Sequence, residues 1–527
     1  MPQVLVINPP NSSSVMDTVA CTVTHPDELT DWANVPSLGA LTLASALTDI
    51  PGITPVYLDG TVVPWHELLA YIAENAADIF AVGVSVLTAS YEAGLQLLEH
   101  VKQVQPRAWT ILGNDHFTAL AETCLTHHRK CVDYGFVGNE VVGPFRALIG
   151  DLYRDRLRSP AAYPGLAAWN GDRVVLTPQQ PEPVFTGQRY ELIDAVFPHS
   201  EYYTRNFRAR VGPRMRELMG ADVSSGVPVE FARGCIKFSR DDACTFCSIQ
   251  YGGMWRNSLE SPAHAWDMLR RATRAGYDYL SVTADELPLT FGSLLREMAR
   301  TRPAWWTAAA GSERPLLAGY ARADGLANPR HAAVLRDLNI RYLMVGLDAG
   351  APLSLAALNK PLAPARDTDP RRRAERMFRH NIAALHAARN EGLFLKAGFV
   401  VGHLGMTPDL LKLNTEAMCT LIDNGKDALA SVDIEVLSPE PGSRDYQYLT
   451  RPALAADAAA RLGLTVADDD IRHRVAREHA FLDVIDREQA MSDYALALMP
   501  GLTLDDVAGA RATVRAHARD AGILVGE

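Results

Sequence analysis

Three of the chain's seven cysteines fall within thirteen residues, in the stretch Val229-Glu-Phe-Ala-Arg-Gly-Cys235-Ile-Lys-Phe-Ser-Arg-Asp-Asp-Ala-Cys244-Thr-Phe-Cys247. A spacing of eight residues and then two lets three thiolates hold three corners of a metal centre and leave a fourth open. Structural zinc favours four closed protein ligands. No fourth is near here, the next His being His264 and the next Cys Cys419. An open corner points to a [4Fe–4S] cluster with one iron free for a small molecule, since cysteine thiolates are its usual ligands. Two plainer readings stand beside it: a zinc site, or a buried structural Cys235 with Cys244 and Cys247 incidental. Thiols that only pack apolar surface do not need a C-x2-C pair in a loop rich in Asp and Arg.

The elements that must position this loop are legible as alternation. A short apolar run precedes Cys235. From about 226 to 445 strands and helices then alternate: helix Pro262–Ala275, strand Tyr279–Thr283, and a further strand and turn from Trp305–Ala310 on to Leu326. Helix Ala332–Leu338, strand Arg341–Leu347, helix Ala383–Glu391, strand Leu395–Val401 and strand Val432–Leu437 follow. About six such units predict a partial TIM-like barrel with its active residues at the carboxyl ends of strands. The first 155 residues alternate too, with strands at Val4–Ile7, Val56–Leu58, Ile79–Val86, Trp109–Leu112 and Val132–Val137. Helical spacing separates them at Leu38–Leu47, Trp65–Ala76 and Tyr91–Val104. This is the pattern of a doubly wound parallel sheet, which binds ligands at the carboxyl ends of its strands.

Residues 156–225 start Pro-rich and read as a connector with a small hairpin around Pro164 to Leu176, and 446–527 as an Ala-, Asp- and Arg-rich helical cap broken at Pro500-Gly501. The expected architecture is therefore α/β: a Rossmann-like domain (1–155), a connector, a (β/α)6 barrel (226–445) and helices.

Composition narrows the function. The 527 residues are 48% hydrophobic and 21% charged, with a net charge of −11, which disfavours a nucleic-acid partner. The basic run Arg371-Arg-Arg373 is flanked by Asp367, Asp369 and Glu375, as at a solvated helix start. No apolar run reaches the ~18 residues of a membrane span, and the N-terminus lacks signal-peptide features. The cysteines form no disulfide framework, so a cytoplasmic setting with free thiolates is expected.

The cysteine stretch resembles the cluster loop of radical S-adenosylmethionine (SAM) enzymes, down to the aromatic Phe246 before the last cysteine. Their commonest form has three residues between the first two cysteines. Downstream, Arg322-Ala-Asp-Gly-Leu, Gly346-Leu-Asp-Ala-Gly, Asn359-Lys-Pro, Gly402-His-Leu-Gly-Met-Thr and Pro439-Glu-Pro-Gly-Ser resemble, in order, phrases of the cobalamin-dependent branch of that family. That branch usually has Glu at the position of Asp348. The strand ends of the first domain, Asn8-Pro-Pro10, Ser85-Val-Leu87-Thr88, Gly113-Asn-Asp-His116 and Gly138-Asn-Glu140, resemble its cobalamin-binding domain. Asn114 and Asn139 depart from the usual pattern, and no Asp-x-His-x-x-Gly follows the first strand.

The resemblance implies three cofactors: a [4Fe–4S] cluster on Cys235, Cys244 and Cys247, SAM, and cobalamin bound with its own base displaced and no His ligand from the first loop. It further implies SAM contacts at Phe246, Asp285, Arg322 and Asp348, and cobalamin contacts at Pro10, Ser85, Leu87, Thr88, Gly113, His116, Gly138 and Glu140. Read from residue type alone, Asp285 and Asp348 could be helix caps, Arg322 a structural ion pair and His116 a hydrogen-bonded loop residue. The implied reaction is C-methylation of an unactivated carbon of a small molecule by way of a 5′-deoxyadenosyl radical and methylcobalamin, in natural-product biosynthesis. A low-potential electron donor of flavodoxin or ferredoxin type would be its partner. The alternatives are a non-methylating rearrangement, cyclisation, oxidation or epimerisation, or a sensor without turnover. Cys419, the spare barrel thiol that an epimerase would need, reads as an ordinary packing residue.

Overall fold

The computed structural model describes residues 1–11, 35–237, 242–248, 257–309, 314–362 and 369–526. Asp367, Ala310 and the middle of the cysteine stretch (238–241) lie outside the described residues. The chain divides into two compact units, 1–230 with 267–281 and 231–266 with 282–527.

The first sheet contains β1 (Gln3–Asn8), β2 (Thr54–Asp59), β3 (Ile79–Ser85), β4 (Trp109–Gly113), β5 (Tyr134–Phe136), β6 (Leu166–Asn170) and β7 (Arg173–Leu176). Its order is β2-β1-β3-β4-β5-β6-β7. The first five strands pair in parallel, and the β6–β7 hairpin extends the sheet antiparallel from β5. Val4, Leu5, Val6 and Ile7 are all buried, as are Ala81, Val82 and Val84 of β3. Sheets covered on both faces read as such continuous apolar runs. Each fully buried aliphatic side chain contributes roughly 1.5–3 kcal/mol. The helix Tyr91–Val104 lies close against β3 and the residue after it: a Cβ added at Gly94 would sit 3.3 Å from Val84 Cγ1 and 2.5 Å from Val86 Cγ1. The strand order reverses between β1 and β3, and in such sheets the ligand crevice opens beyond the carboxyl ends at that switch point. Here those ends are Asn8-Pro9-Pro10 and Ser85 to Thr88.

The second sheet starts at β8 (Gly226–Glu230). A two-residue ribbon follows, β9 (Ala232–Arg233) against β10 (Asn257–Ser258), and the chain then continues through β11 (Tyr279–Thr283), β12 (Leu316–Arg322), β13 (Ile340–Asp348), β14 (Phe394–Val401), β15 (Leu429–Val436) and β16 (Leu524–Val525). The order β16-β15-β14-β13-β12-β11-β8 follows the sequence strand by strand, as a partial barrel requires. From β12 to β16 the pairings are parallel. The α/β class and the two parallel sheets match the expectation.

Some local readings do not hold. Trp305 does not begin a strand. Ala304–Ala308 is a helix and the strand is Leu316–Arg322. Short apolar runs do not reveal their period, and the helix buries Trp306 against Trp266 with ring centroids 5.0 Å apart. The helix expected at Ala383–Glu391 is only the end of a longer one, Pro370–Glu391. Asp369 caps it by accepting from the Arg371 N–H at 2.9 Å, with Pro370 in the first turn, so the basic run is indeed a helix start. The C-terminal region is helical as expected, with Gly501 at φ +78° in the break, but its last residues form β16 beside β15.

Candidate functional site

The β9–β10 ribbon pairs Ala232 with Ser258 and Arg233 with Asn257, so the chain between them leaves and returns at one place. Cys235, Cys244 and Cys247 lie on this excursion, all partly exposed and none in a disulfide. Gly234, at φ +93°, takes the left-handed conformation that glycine adopts without strain, and its N–H donates to Asp285 Oδ2 at 2.6 Å. The Cys247 N–H donates to the Cys244 carbonyl at 3.2 Å, folding the C-x2-C pair into a turn.

The loop is held by the segment Leu358 to Pro361. The Thr245 N–H donates to the Leu358 carbonyl at 3.0 Å, and Asn359 Nδ2 donates to the carbonyls of Asp242 and Ala243 at 3.2 and 2.9 Å. Lys237, inside the long gap between the first two cysteines, donates through Nζ to the carbonyls of Asn359 and Pro361. On the other side, the Asp445 N–H donates to the Thr245 carbonyl at 3.0 Å, and Tyr494 Oη donates to Asp445 Oδ1 at 2.6 Å. Burial raises the Asp445 carboxyl to about 6, against the hydrogen bonds from Tyr494 and Thr245.

Beneath the loop lies a chain of buried charges. Arg322, 5% exposed, grips Asp324 with two parallel bonds of 3.0 and 2.9 Å and donates to the Lys360 carbonyl at 2.8 Å. Lys360 Nζ pairs with Asp348. Gly346 makes that pair possible, because a Cβ there would lie 2.6 Å from Asp348 Oδ1 and 2.9 Å from Lys360 Nζ. Asp348 itself adopts φ +61°, and the following turn is fixed by Asn414 Oδ1, which accepts from the N–H groups of Gly350 and Ala351 at 2.9 Å each.

These charges act on the thiols. Burial pushes the Cys235 thiol up, as do Cys244 and Glu286, while a hydrogen bond from the Lys237 backbone and the charge of Arg322 pull it down. Burial lowers Lys237, and the nearby Cys244 thiol partly offsets this. Burial also works against charged Lys360 and Arg322, but their carboxylate partners and the thiols hold both above their ordinary values.

The sequence candidates divide by surroundings. Asp285 is exposed at the end of β11 and Phe246 is half-buried in the cysteine turn. Arg322 and Asp348 are buried in the ion pairs just described. In the first unit, Ser85, Thr88 and Gly113 are partly exposed and Leu87 is 45% exposed, all at strand ends. Asn114 ties two of these ends together, donating to Ser85 Oγ at 3.0 Å. Pro10, His116, Gly138 and Glu140 are buried instead. His116 Nδ1 lies 3.2 Å from Thr88 Oγ1, and its ring stacks on Tyr91 at 4.1 Å. The Gly138 N–H donates to Thr118 Oγ1 at 2.9 Å, and Glu140 Oε2 accepts from the Glu182 N–H at 3.0 Å.

Sequence reasoning missed Lys237, Lys360, Asp324 and Asp445. Asp324, inside Arg322-Ala-Asp-Gly-Leu, and Lys360, inside Asn359-Lys-Pro, carried a signal only as parts of phrases without a role of their own. It also missed Asp59 at the end of β2, buried and accepting from Asn8 Nδ2 (2.9 Å), Tyr57 Oη (3.0 Å) and Tyr203 Oη (2.5 Å).

Residues 33–143, which carry β2 to β5 of the first sheet, match the B12 binding domain family. No curated protein matches the chain. Among solved structures, the radical S-adenosylmethionine methyltransferase TsrM from Kitasatospora setae, with cobalamin and a [4Fe-4S] cluster bound, is similar at 18% identity. The similarity covers 98% of this chain and 91% of that one, with a TM-score of 0.66. The same enzyme with tryptophan substrate and a SAM analogue bound gives a TM-score of 0.63. OxsB, a cobalamin-dependent S-adenosylmethionine radical enzyme, is similar at 16% identity over 87% of this chain and 56% of its own, with a TM-score of 0.53. The chain therefore shares the fold of TsrM over nearly its whole length and that of about half of OxsB.

Proposed function

We propose that this chain is a cobalamin-dependent radical SAM C-methyltransferase acting on an unactivated carbon of a small molecule, of the kind used in natural-product biosynthesis. The observation that carries the reading is the cysteine loop. Three thiols on one closed excursion fit a cluster that needs three protein ligands and an open iron. When bound, the cluster supplies the electron that opens SAM to a 5′-deoxyadenosyl radical, and cobalamin carries the methyl group.

The chain's own residues bind and orient. Cys235, Cys244 and Cys247 hold the iron, and Lys237 and Asn359 fix the loop. Asp285, the exposed carboxylate that also holds Gly234, is the residue best suited to touch SAM. Arg322 and Asp348 act from below through their buried partners. Around cobalamin, Ser85, Leu87, Thr88 and Gly113 make contact, while Pro10, His116, Gly138 and Glu140 keep those loops in place. Residues 1–155 form the cobalamin domain, 226–445 the radical SAM domain, 156–225 the connector and 446–527 the cap. A small soluble iron–sulfur or flavin protein delivers electrons in the cytoplasm. Among the described residues no helix is long and apolar enough to cross a membrane.

The test uses oxygen-free, reconstituted protein with cobalamin, SAM, a low-potential reductant and tryptophan as the first substrate probe. S-adenosylhomocysteine together with 5′-deoxyadenosine and a singly methylated product is the expected result. Formation of 5′-deoxyadenosine with no S-adenosylhomocysteine under any substrate would overturn methylation in favour of a rearrangement, cyclisation, oxidation or epimerisation.

A further inference from the structure

The first unit holds a second group of metal-ligating side chains that the cobalamin reading does not use. Glu99 lies on the helix Tyr91–Val104, His128 caps the helix Asp115–His127, and Cys131 follows three residues later, ahead of β5. A carboxylate oxygen of Glu99, a ring nitrogen of His128 and Cys131 Sγ all lie within 4.8 Å of one another. We propose that Glu99, His128 and Cys131 form a binding site for one zinc ion, with water at the fourth corner.

The backbone pre-forms the site. The His128 N–H donates to the Cys124 carbonyl at 3.0 Å, ending the helix, and the His128 carbonyl accepts from Cys131 and Val132 at 3.0 and 2.9 Å. These bonds turn the His-x2-Cys pair back on itself, so imidazole and thiol meet across one turn. That short spacing is typical of zinc ligands, and a tetrahedral ion bonds nitrogen or oxygen at about 2.0–2.2 Å and sulfur at about 2.3 Å. Ligand atoms inside one 4.8 Å sphere close onto such an ion with small side-chain rotations. Cys131 is 4% exposed, His128 intermediate and Glu99 exposed, so the pocket is closed at the sulfur and open at the carboxylate.

Of the neighbouring cations, Lys102 is paired with a carboxylate, and Arg129 and Lys130 keep their charge at exposed positions where solvent screens it. Lys102, one turn beyond Glu99, is neutralised by Asp133 at 2.7 Å, and Asp133 is further occupied by Thr110. His100, beside Glu99, turns to the Leu69 carbonyl at 3.3 Å. Arg129 lies over the Trp169 ring at 4.2 Å, and Lys130 is exposed. Thiolate, neutral imidazole and carboxylate sum to two negative charges, which zinc cancels. Binding releases the Cys131 thiol proton to solvent. A thiolate with nitrogen and oxygen partners suits zinc rather than magnesium or calcium. Cys131 precedes β5 whereas Gly138 follows it, and Tyr91 lies between the proposed site and His116, its ring centroid 6.2 Å from that of His128 and 4.1 Å from that of His116.

The loop cysteines bind metal too, so the test runs on the full chain in two backgrounds. One is wild type, and the other replaces Cys235, Cys244 and Cys247 with Ala. Both are stripped with chelator and titrated with zinc against a chromogenic competitor, then with cobalt(II), whose bond to a thiolate gives a near-ultraviolet charge-transfer band. The expected result is one zinc retained in the triple variant. Adding Cys131→Ser should weaken zinc by more than the roughly 10–100-fold seen for outer-shell changes and remove the cobalt band. Should buried Cys131→Ser fail to fold, Glu99→Gln, on the exposed side, must still weaken zinc by roughly tenfold or more. No zinc in the triple variant, or unchanged zinc affinity and cobalt spectrum in the Cys131 and Glu99 variants, overturns the proposal. Neither result bears on the cluster loop, whose iron content is read separately.

Discussion

The two units bury charge differently. Among the described residues, every buried Lys or Arg lies in the second unit: Arg233, Lys237, Arg322, Lys360, Lys396 and Arg472. Three of these, Lys237, Arg322 and Lys360, bear on the cysteine loop. In the first unit the buried polar groups near the strand ends include Asp59, His116 and Glu140, whose side chains have hydroxyls, an Asn amide and backbone N–H groups as described partners, with the His199 ring accepting from the Asp59 N–H at 3.2 Å. A buried charge survives only with a partner. The difference lies in what surrounds each set of loops: buried cations stand beside the cysteine loop, whereas the strand ends of the first unit leave Ser85, Thr88 and Gly113 partly exposed and Leu87 exposed.

The sharpest way to break this comparison is to remove the loop's purpose and leave the first unit intact. Cys247→Ala should abolish cluster absorbance and 5′-deoxyadenosine formation altogether while cobalamin still co-purifies. Joint loss of both cofactors would mean that the two regions are not independent. Next in size, Lys360→Met strands Asp348, and breaking a buried pair from one side costs about 3–5 kcal/mol. Denaturant titration should show that loss, with much of it recovered in the double variant Lys360→Met/Asp348→Asn.

A pH effect of smaller size separates two buried groups of the second unit. Burial raises Asp445 from 3.8 to about 6, so the folded chain binds more protons than the unfolded one in that window and stability falls as pH rises through it. Burial lowers His403 from 6.5 to about 4, its Nε2 lying 2.9 Å from Ser354 Oγ, so stability rises as pH climbs from about 4 to 6.5. The two slopes oppose each other between pH 4 and 6. Asp445→Asn should leave a net rise there and His403→Gln a net fall, both read from urea midpoints across pH. The smallest effect belongs to the first unit. Leu87→Arg should change stability by about 0.5 kcal/mol or less, as exposed substitutions do. Its expected mark is weaker cobalamin retention on gel filtration.

Much of the scaffold was legible because it follows local rules. Val4–Ile7 and Ile79–Val86 read as strands since a doubly covered parallel strand is a plain apolar run. The C-x8-C-x2-C spacing stood out because residues near in sequence need no fold to bring them together. What stayed hidden is non-local. Nothing around Lys360 announces Asp348 as its partner, nor does Lys237 reveal that its ammonium crosses to Asn359 and Pro361. Trp305-Trp306 has no readable period in so short a run, and Leu524-Val525 becomes a strand only because β15 offers an edge.

The two-residue ribbon at the base of the cysteine loop has a consequence for how that loop could lengthen. Ala232–Arg233 and Asn257–Ser258 already bring the ends together, so extra residues inside the loop add only the logarithmic closure term. Growing the first gap from three residues to eight costs about 0.2 kcal/mol of chain entropy on that basis. Lys237, one of the residues in that gap, returns more than this through its bonds to the neighbouring carbonyls, each typically about 0.5–1.5 kcal/mol. The long gap is thus thermodynamically inexpensive, and Lys237 fastens it to the segment Asn359 to Pro361.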